Sequence, residues 1–327
     1  MIYFPLISGL MALVIAHRTA VALAPENSLP GIEQAALCQA DLVELDVRLS
    51  RDGQLVLMHD ESLERTSNGS GLVAEHSLEE LKGLHLRNRD GCLDQSTTVP
   101  TLNEAANLAR ELGLGIVLEM KEEGLEGLVS ESISGEDCMV TSFYHASLRE
   151  LSEISSLKTG IIISALPLYP VRLALEAGAS AIFPRRVNAR LFKEAHRQGL
   201  AVYPWTVNSR EEAGWMLRLG ADGLVTDDPC LLREAADQPA QATGKDNCPY
   251  YPCHHLSEQD CTHCFCPLYP CKDEELGSYV RTKKGKRFWS CINCTLVHLP
   301  AVAAYLAEHP EATAEQLKAL PGQKQIQ

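Results

Sequence analysis

Between residue 13 and about residue 230 the chain alternates short β-rich runs with helix-length stretches, and few folds accommodate that rhythm. The runs are Leu13–Ala16, Leu42–Val47, Gly115–Lys121, Cys138–Phe143, Gly160–Ser164, Ala181–Pro184, Ala201–Thr206 and Gly223–Thr226. Helical stretches fit between them at Ser28–Cys38, Thr101–Leu112, Gly124–Ser132, Ala146–Ser155, Pro170–Ala177, Ala189–Gln198 and Arg210–Leu219. Several open on a capping residue (Asn27 or Ser28, Thr101, Asn188, Ser209), and several close on a glycine (Gly113, Gly178, Gly199, Gly220). Eight βα units in about 220 residues predict an α/β fold, a TIM (β/α)8 barrel, with a doubly wound open sheet as the alternative. In such a barrel the chemistry sits at the C-terminal ends of the strands.

The second run belongs to a longer stretch, VELDVRLSRDGQLVLMHD, Val43 to Asp60. Side chains two apart on a strand share a face, so Glu44 and Asp46 converge. Asp52-Gly53 between two apolar runs predicts a two-residue hairpin turn that pairs Arg51 with Gln54, Val47 with Met58 and Asp46 with His59. That register brings His59 to the two carboxylates, and makes Gln54–His59 a ninth, antiparallel strand outside the eightfold repeat. Acids at a strand end are often only solvated. A hard divalent cation on carboxylate oxygens beside an imidazole, however, is a hydrolytic arrangement: the ion polarises a phosphoryl oxygen and the histidine moves the proton.

The other strand ends extend the same inventory. The first delivers His17 and Arg18, the third Glu119 and Lys121 on one face, and the seventh Trp205 with Asn208 just beyond, as candidate substrate-binding residues. Each has a bland reading, as a surface arginine, a salt-bridged rim or a core tryptophan. Together they offer Glu44, Asp46 and Glu119 for a cation, His17 and His59 for acid and base, and Arg18 and Lys121 for an anionic oxygen. The set suits phosphodiester hydrolysis. Hydride transfer fits poorly, because no GxGxxG follows a strand.

These residues, with Ala24-Pro25-Glu26-Asn27-Ser28, Leu63, Arg65-Thr66, Pro100-Thr101-Leu102, Trp205-Thr206-Val207-Asn208 and Thr226-Asp227, resemble the glycerophosphodiester phosphodiesterase family from about residue 13 to 232. The resemblance implies a TIM barrel that hydrolyses deacylated phospholipids, such as glycerophosphocholine or glycerophosphoethanolamine, to glycerol 3-phosphate and an alcohol. It implies Mg²⁺ or Ca²⁺ on Glu44, Asp46 and Glu119, acid/base roles for His17 and His59, and phosphate binding by Arg18 and Lys121. Attack by the glycerol's own hydroxyl or by water stays open. One position departs from the pattern: the family's first motif is His-Arg-Gly, and Thr19 stands where the glycine would be. A turn there that needs positive φ disfavours a β-branched residue.

Residues 60–100 interrupt the rhythm with a polar segment holding one short amphipathic helix, Leu78–Leu84, as expected of an inserted lid or substrate wall. The domain boundary is expected in DQPAQATGKDN, giving a barrel over 1–238, a linker over 239–247 and a small module over 248–327. The net charge of −14 belongs wholly to the first part, where residues 1–240 carry 20 Lys and Arg against 34 Asp and Glu. That excess disfavours nucleic acid and anionic membranes as partners. The apolar MIYFPLISGLMALVIA at the start lacks a preceding charge and is short for a span, so it reads as a buried turn and strand rather than a stable membrane insertion. The expected location is the cytoplasm, where the twelve cysteines point to metal or free thiols before disulfides.

Eight cysteines crowd the tail: Cys248, Cys253, Cys261, Cys264, Cys266, Cys271, Cys291 and Cys294, with His254 and His298 among them. Cys261-x-x-Cys264 and Cys291-x-x-Cys294 have knuckle spacing, and the whole set suffices for one or two tetrahedral Zn²⁺ ions, with an iron–sulfur cluster as the alternative. The run resembles the cysteine-rich small domain of bacterial and archaeal proteins. The basic stretch Arg281–Arg287 reads as a solvated hairpin turn before it reads as a nucleic-acid contact, and Leu299–Leu320 as one or two amphipathic helices. Two further functional readings stand beside the glycerophosphodiester one: a lysophospholipase D-like enzyme on lipid substrates, and a barrel impaired by Thr19 that serves with the tail as a binding module. Oligomeric state is left open.

Overall fold

All eight β-rich runs form parallel strands. In chain order the strands of the first part are β1 (Leu13–Ala16), β2 (Leu42–Leu49), β3 (Leu55–Leu57), β4 (His85–Arg87), β5 (Leu93–Thr98), β6 (Gly115–Met120), β7 (Cys138–Ser142), β8 (Lys158–Ile163), β9 (Ala181–Pro184), β10 (Ala201–Val202) and β11 (Gly223–Thr226). The computed structural model describes residues 12–135, 137–237, 260, 266, 268, 271–281, 287–291 and 294–320. The chain divides into two compact units, residues 1–239 and 240–327.

The parallel order is β10-β9-β8-β7-β6-β2-β1-β11. Between the two end strands the amides of Asp222, Val225 and Val207 donate to the carbonyls of Val202, Pro204 and Val225 at 3.1, 3.0 and 2.8 Å, so the sheet rolls into a nearly closed TIM barrel rather than an open one. Its strands are apolar on both faces, as a sheet covered on both sides requires. Alternate residues Ile15, Val117, Ile162, Phe183 and Val225 form an inner cluster. Their neighbours Val14, Ile116, Leu118, Ile161, Ile163 and Leu224 pack outward with the helices.

The helices are α1 (Leu29–Leu37), α2 (Leu78–Lys82), α3 (Leu102–Glu111), α4 (Glu126–Ser132), α5 (His145–Ile154), α6 (Pro170–Glu176), α7 (Ala189–Arg197), α8 (Arg210–Arg218) and α9 (Pro229–Asp237). Ser28 rather than Asn27 caps α1, its hydroxyl accepting from the Gly31 amide at 3.1 Å. Thr101 and Glu104 form a reciprocal capping box on α3, and Asn188 and Ser209 cap α7 and α8, each such cap being worth about 1 kcal/mol. α9 was not expected from the sequence. It is tied to the end of α1 by a disulfide between Cys38 and Cys230, and by Arg233 on Gln39 O and Asp41. The expectation of thiols before disulfides is thus corrected for these two cysteines: barrel closure brings together helices that lie 192 residues apart in sequence.

The hairpin register also needs correction. Val47 pairs with Leu57, Arg48 with Val56 and Leu49 with Leu55, one residue off the expected register. Ser50 and Gln54 close a three-residue loop in which Gly53 takes φ +78°, and the Gly53 amide donates to Ser50 O at 3.0 Å. The Asp-Gly signal holds, but as a three-residue turn ending in a left-handed glycine rather than a two-residue one. A one-residue slip reverses the faces, so His59 does not reach the carboxylates by strand pairing. It lines one pocket with Glu44 and Glu119 from just beyond β3, where the Met58 amide still donates to Asp46 O at 3.0 Å.

Within residues 60–100 the expected helix is present as α2, and an unexpected hairpin, β4 with β5, accompanies it. Val56, Met58, Leu63, Val73, Leu81, Leu86 and Val99 make a separate small core there. In the second unit, β12 (Ser278–Arg281) pairs antiparallel with β13 (Arg287–Ser290), and α10 (Pro300–Glu308) and α11 (Ala314–Lys318) follow. Leu276, Leu296, Val297, Val302, Leu306 and Leu317 form its core. Among the described residues no helix is long and apolar enough to cross a membrane.

Candidate active site

β2 and β6 are parallel neighbours whose register sets Asp46 opposite Glu119, and Glu44 lies two residues before Asp46 on the same face. The carboxylate oxygens of Glu44, Asp46 and Glu119 lie within 4.8 Å of one another, and all three residues are buried. Among the described residues they alone form such a cluster of possible metal ligands. Glu44 Oε1 and Asp46 Oδ1 are buried without a hydrogen bond. Orphaned anionic oxygens at that spacing, all hard donors, fit a divalent cation of the Mg²⁺ or Ca²⁺ type.

Two cations already face this charge. Lys121 Nζ lies 2.6 Å from Glu119 Oε1 and 3.3 Å from Asp46 Oδ1, while Arg18 Nε lies 3.7 Å from Asp46 Oδ2. Burial alone would discharge Arg18 and Lys121, but the surrounding carboxylates outweigh it and hold both above their ordinary values. Burial and the neighbouring acids Asp46 and Glu119 push Glu44 well up; burial with Asp46 pushes Glu119 up to about 7. Asp46 goes the other way, to about 2, because Lys121, His59, Arg18 and Asn27 together overcome its desolvation. The Asn27 carboxamide donates to Asp46 Oδ2 at 2.7 Å and accepts from the Asp46 amide at 2.9 Å, which fixes that carboxylate.

Both histidines are held the same way. His17 Nδ1 lies 2.7 Å from Asp227 Oδ1, and His59 Nδ1 lies 2.6 Å from Asp60 Oδ1. Hydrogen bonds and charge keep Asp60 and Asp227 below the ordinary carboxylate range, so each accepts and each ring donates Nδ1–H. Nε2 is then the nitrogen left for substrate on both rings. Burial lowers the His59 pKa, with Asp46 only partly offsetting it. Behind Asp60, Arg65 donates to Asp60 Oδ2 at 2.5 Å and to both oxygens of Glu26 at 2.8 Å, and Arg18 lies 3.4 Å from the same Glu26. Behind Asp227, Asn208 donates to Oδ2 at 2.9 Å, and Arg89 from the turn between β4 and β5 lies 3.8 Å away.

The turn after β1 does take positive φ: Arg18 +47°, Thr19 +63° and Ala20 +72°. This conformation aims the Arg18 amide at Glu44 Oε2, 2.6 Å away. Thr19 is fully buried and its hydroxyl accepts from the Ser28 amide at 3.1 Å. Room for it comes from Gly31, where a Cβ would stand 2.3 Å from Thr19 Oγ1 and 2.4 Å from Thr19 O.

His17, Arg18, Glu44, His59, Glu119 and Lys121 line a single pocket together with Thr141 and the apolar Val117, Phe143, Ile162, Phe183, Trp205 and Val225. Trp205 donates its indole N–H to Phe183 O at 2.9 Å and meets Phe143 edge to face at 6.0 Å. Asp46 lies behind the lining. Asn208 is outside it, with its carboxamide committed to Asp227 and Thr226. Sequence reasoning assigned no role to Asp60 or Asp227, and of the apolar lining it singled out Trp205 alone, as a substrate contact. Asp227 was legible only as part of the Thr226-Asp227 motif at the end of the last strand.

In the second unit Cys248, Cys253, Cys261, Cys264 and His254 lie outside the described residues. Cys266, Cys271, Cys291 and Cys294 are described; burial raises the Cys266 thiol to about 11, and the other three act on it electrostatically. The Cys294 amide donates to Cys291 O at 2.9 Å. His298 is buried, with Nδ1 2.9 Å from Asp260 O. These thiols are not within the mutual spacing that the carboxylates show.

The sequence matches the glycerophosphoryl diester phosphodiesterase family over residues 17–231 and the cysteine-rich small domain over residues 240–320. A glycerophosphodiester phosphodiesterase of Caldanaerobacter subterraneus is 34% identical over 232 residues, covering 67% of this chain and 96% of that one. A phosphodiesterase from Oleispira antarctica, solved in complex with the product sn-glycerol-3-phosphate, is similar with a TM-score of 0.63 and 28% identity, over 69% of this chain and 96% of its own. An uncharacterized protein of Methanocaldococcus jannaschii is 56% identical over 57 residues, 17% of this chain and 47% of that protein.

Proposed function

Because the chain belongs to the glycerophosphoryl diester phosphodiesterase family and is a phosphoric diester hydrolase, we propose that it hydrolyses glycerophosphocholine, glycerophosphoethanolamine and similar glycerophosphodiesters to glycerol 3-phosphate and an alcohol. The observation that carries this reading is the pair of Nδ1-anchored histidines, His17 and His59, in one pocket with a buried carboxylate triad. Glu44, Asp46 and Glu119 would hold Mg²⁺ or Ca²⁺, which when bound supplies positive charge against a phosphoryl oxygen.

The protein's own groups supply the remainder. Arg18 and Lys121 bind the non-bridging oxygens and neutralise the charge that develops on them. One histidine Nε2 takes the proton of the attacking hydroxyl, and the other gives a proton to the leaving alcohol as its P–O bond breaks. Asp227 and Asp60 hold the two rings in the tautomer this needs, and Asn208 acts behind Asp227 rather than on substrate. The Trp205 and Phe143 wall excludes water from the far side of the phosphate. His17→Ala tests the assignment: release of glycerol phosphate is abolished while the melting temperature stays unchanged, and near-normal turnover would remove His17 from the chemistry.

For the second unit the proposed role of the cysteines and His298 is to hold one or two Zn²⁺ ions, the cysteine-bearing stretch 248–298 being too short for an unaided core. The barrel is proposed to span 1–238 with its insertion at 60–100, followed by a linker over 239–247 and the module over 248–327.

A further inference from the structure

Phe183 on β9 lines the pocket, and the Arg185 amide still donates to Ile163 O at 2.8 Å, which extends the pairing of β8 with β9 one residue past the strand. Arg185 therefore takes the same face as Phe183, two residues before it. Its guanidinium lies 5.9 Å from the centre of the Trp205 ring, another group of the lining. β9 is the fourth strand from β2 in either direction, through β6, β7 and β8 or through β1, β11 and β10, so this cation stands across the barrel from Glu44 and Asp46. Among the described residues no carboxylate takes up its charge, nor that of the exposed Arg186 beside it. No acid occurs between Glu176 and Glu194, although residues 1–240 carry 34 acidic against 20 basic residues. A second cation stands at the end of β11, which follows β10 around the barrel. It is Arg89, 65% exposed and 3.8 Å from an Asp227 carboxylate that His17 and Asn208 already hold.

We propose that Arg185, with Arg89 on the neighbouring arc, selects glycerophosphodiesters whose alcohol carries its own negative charge, a carboxylate or a phosphate; the inference rests on the reaction proposed above. Arg18 and Lys121 hold the scissile phosphate on the side of β1 and β6, so the far end of the alcohol is the part of the diester that meets Arg185 on the opposite side. A cationic alcohol is opposed twice. The guanidinium repels it, and the Trp205 ring that would receive an ammonium already has one cation beside it. The choline and ethanolamine diesters are then the slower members of the substrate class.

The test uses the full chain, supplied with Mg²⁺ or Ca²⁺, and four glycerophosphodiesters of similar length whose alcohols are ethanolamine, ethane-1,2-diol, glycolate and 2-hydroxyethyl phosphate. An exposed ion pair changes affinity by about threefold, so kcat/KM is expected to rise about threefold from ethanolamine to the neutral diol and about threefold again to either anionic alcohol. Kd, measured in the His17→Ala full chain, follows the same order. Arg185→Gln brings the series together, and Arg185→Glu reverses it. Each comparison is a ratio between substrates on one protein, so a fall in the folded fraction does not move it. An unmodified chain indifferent to the end group, or an order that survives Arg185→Gln, overturns the proposed site. An equal fall on all four diesters in Arg185→Gln would place the residue on the shared glycerophosphate and overturn it as well. A charge-ordered Kd with no turnover on any diester would instead overturn the reaction and leave the anion site standing.

Discussion

His17 and Asp227 stand side by side because the first and last barrel strands pair in parallel register. Ala16 lies opposite Thr226, so the residues that follow them meet at the C-terminal edge, with His17 Nδ1 2.7 Å from Asp227 Oδ1 although 210 residues separate them in sequence. Barrel closure itself thus orients one of the two site histidines.

Asp227→Asn leaves the shape intact but replaces the obligate acceptor with a group that can donate, so the ring is no longer held with Nε2 free. The expected result is a kcat about 10- to 100-fold lower with KM little changed and no loss of melting temperature. Asn208→Ala, which removes a bond to Asp227 and not to substrate, lowers kcat less and in the same direction. An altered KM with unchanged kcat would place Asn208 on the substrate instead.

Arg65 holds two acids at once, and one of them, Glu26, is buried. Arg65→Ala leaves Glu26 with Arg18 at 3.4 Å and releases Asp60 from behind His59. The expected loss is about 2 kcal/mol of stability in a urea titration, less than for a fully buried pair because Arg65 is half exposed, together with a lower kcat. Arg65→Lys restores little of either, since an ammonium cannot bind two carboxylates through a planar fork.

Gly31 is the counterpart of Thr19. Gly31→Ala forces its Cβ onto Thr19 Oγ1 and O, and about 1–3 kcal/mol of stability is expected to be lost. In a Thr19→Gly background the hydroxyl clash disappears but the carbonyl clash remains, so a double-mutant cycle should recover only part of that loss. Thr19→Gly alone relieves a β-branched residue at φ +63° and gives up its bond to the Ser28 amide, leaving turnover unchanged or raised. Full recovery in the cycle would show that the backbone moves to accommodate the methyl group.

The strands were legible because a sheet covered on both faces needs apolar runs, and the candidate ligands because residues two apart share a strand face. The hairpin register was not. Asp-Gly announces a turn but not whether the loop holds two residues or three, and that choice depends on Gly53 taking φ +78°. His59 belongs to the pocket for a different reason from the one its spacing suggests. Asp227 and the Cys38–Cys230 disulfide depend on which strand and which helix end up adjacent across barrel closure, and no local pattern carries that. The expectation of thiols before disulfides rested on the expected compartment, and Cys38 and Cys230 depart from it. The β4–β5 hairpin escaped notice because its strands are largely polar, giving only Leu86 to the small core of Val56, Met58, Leu63, Val73, Leu81 and Val99.

The most direct test of the account is the release of glycerol phosphate from glycerophosphocholine and glycerophosphoethanolamine, measured with added Mg²⁺ or Ca²⁺ and with EDTA. The account predicts turnover that EDTA removes, that the cation restores, and that Glu44→Gln loses. Turnover that is indifferent to EDTA and to Glu44→Gln would contradict the role given to the carboxylate triad, and folded, cation-supplied protein with no turnover on either diester would contradict the proposed reaction.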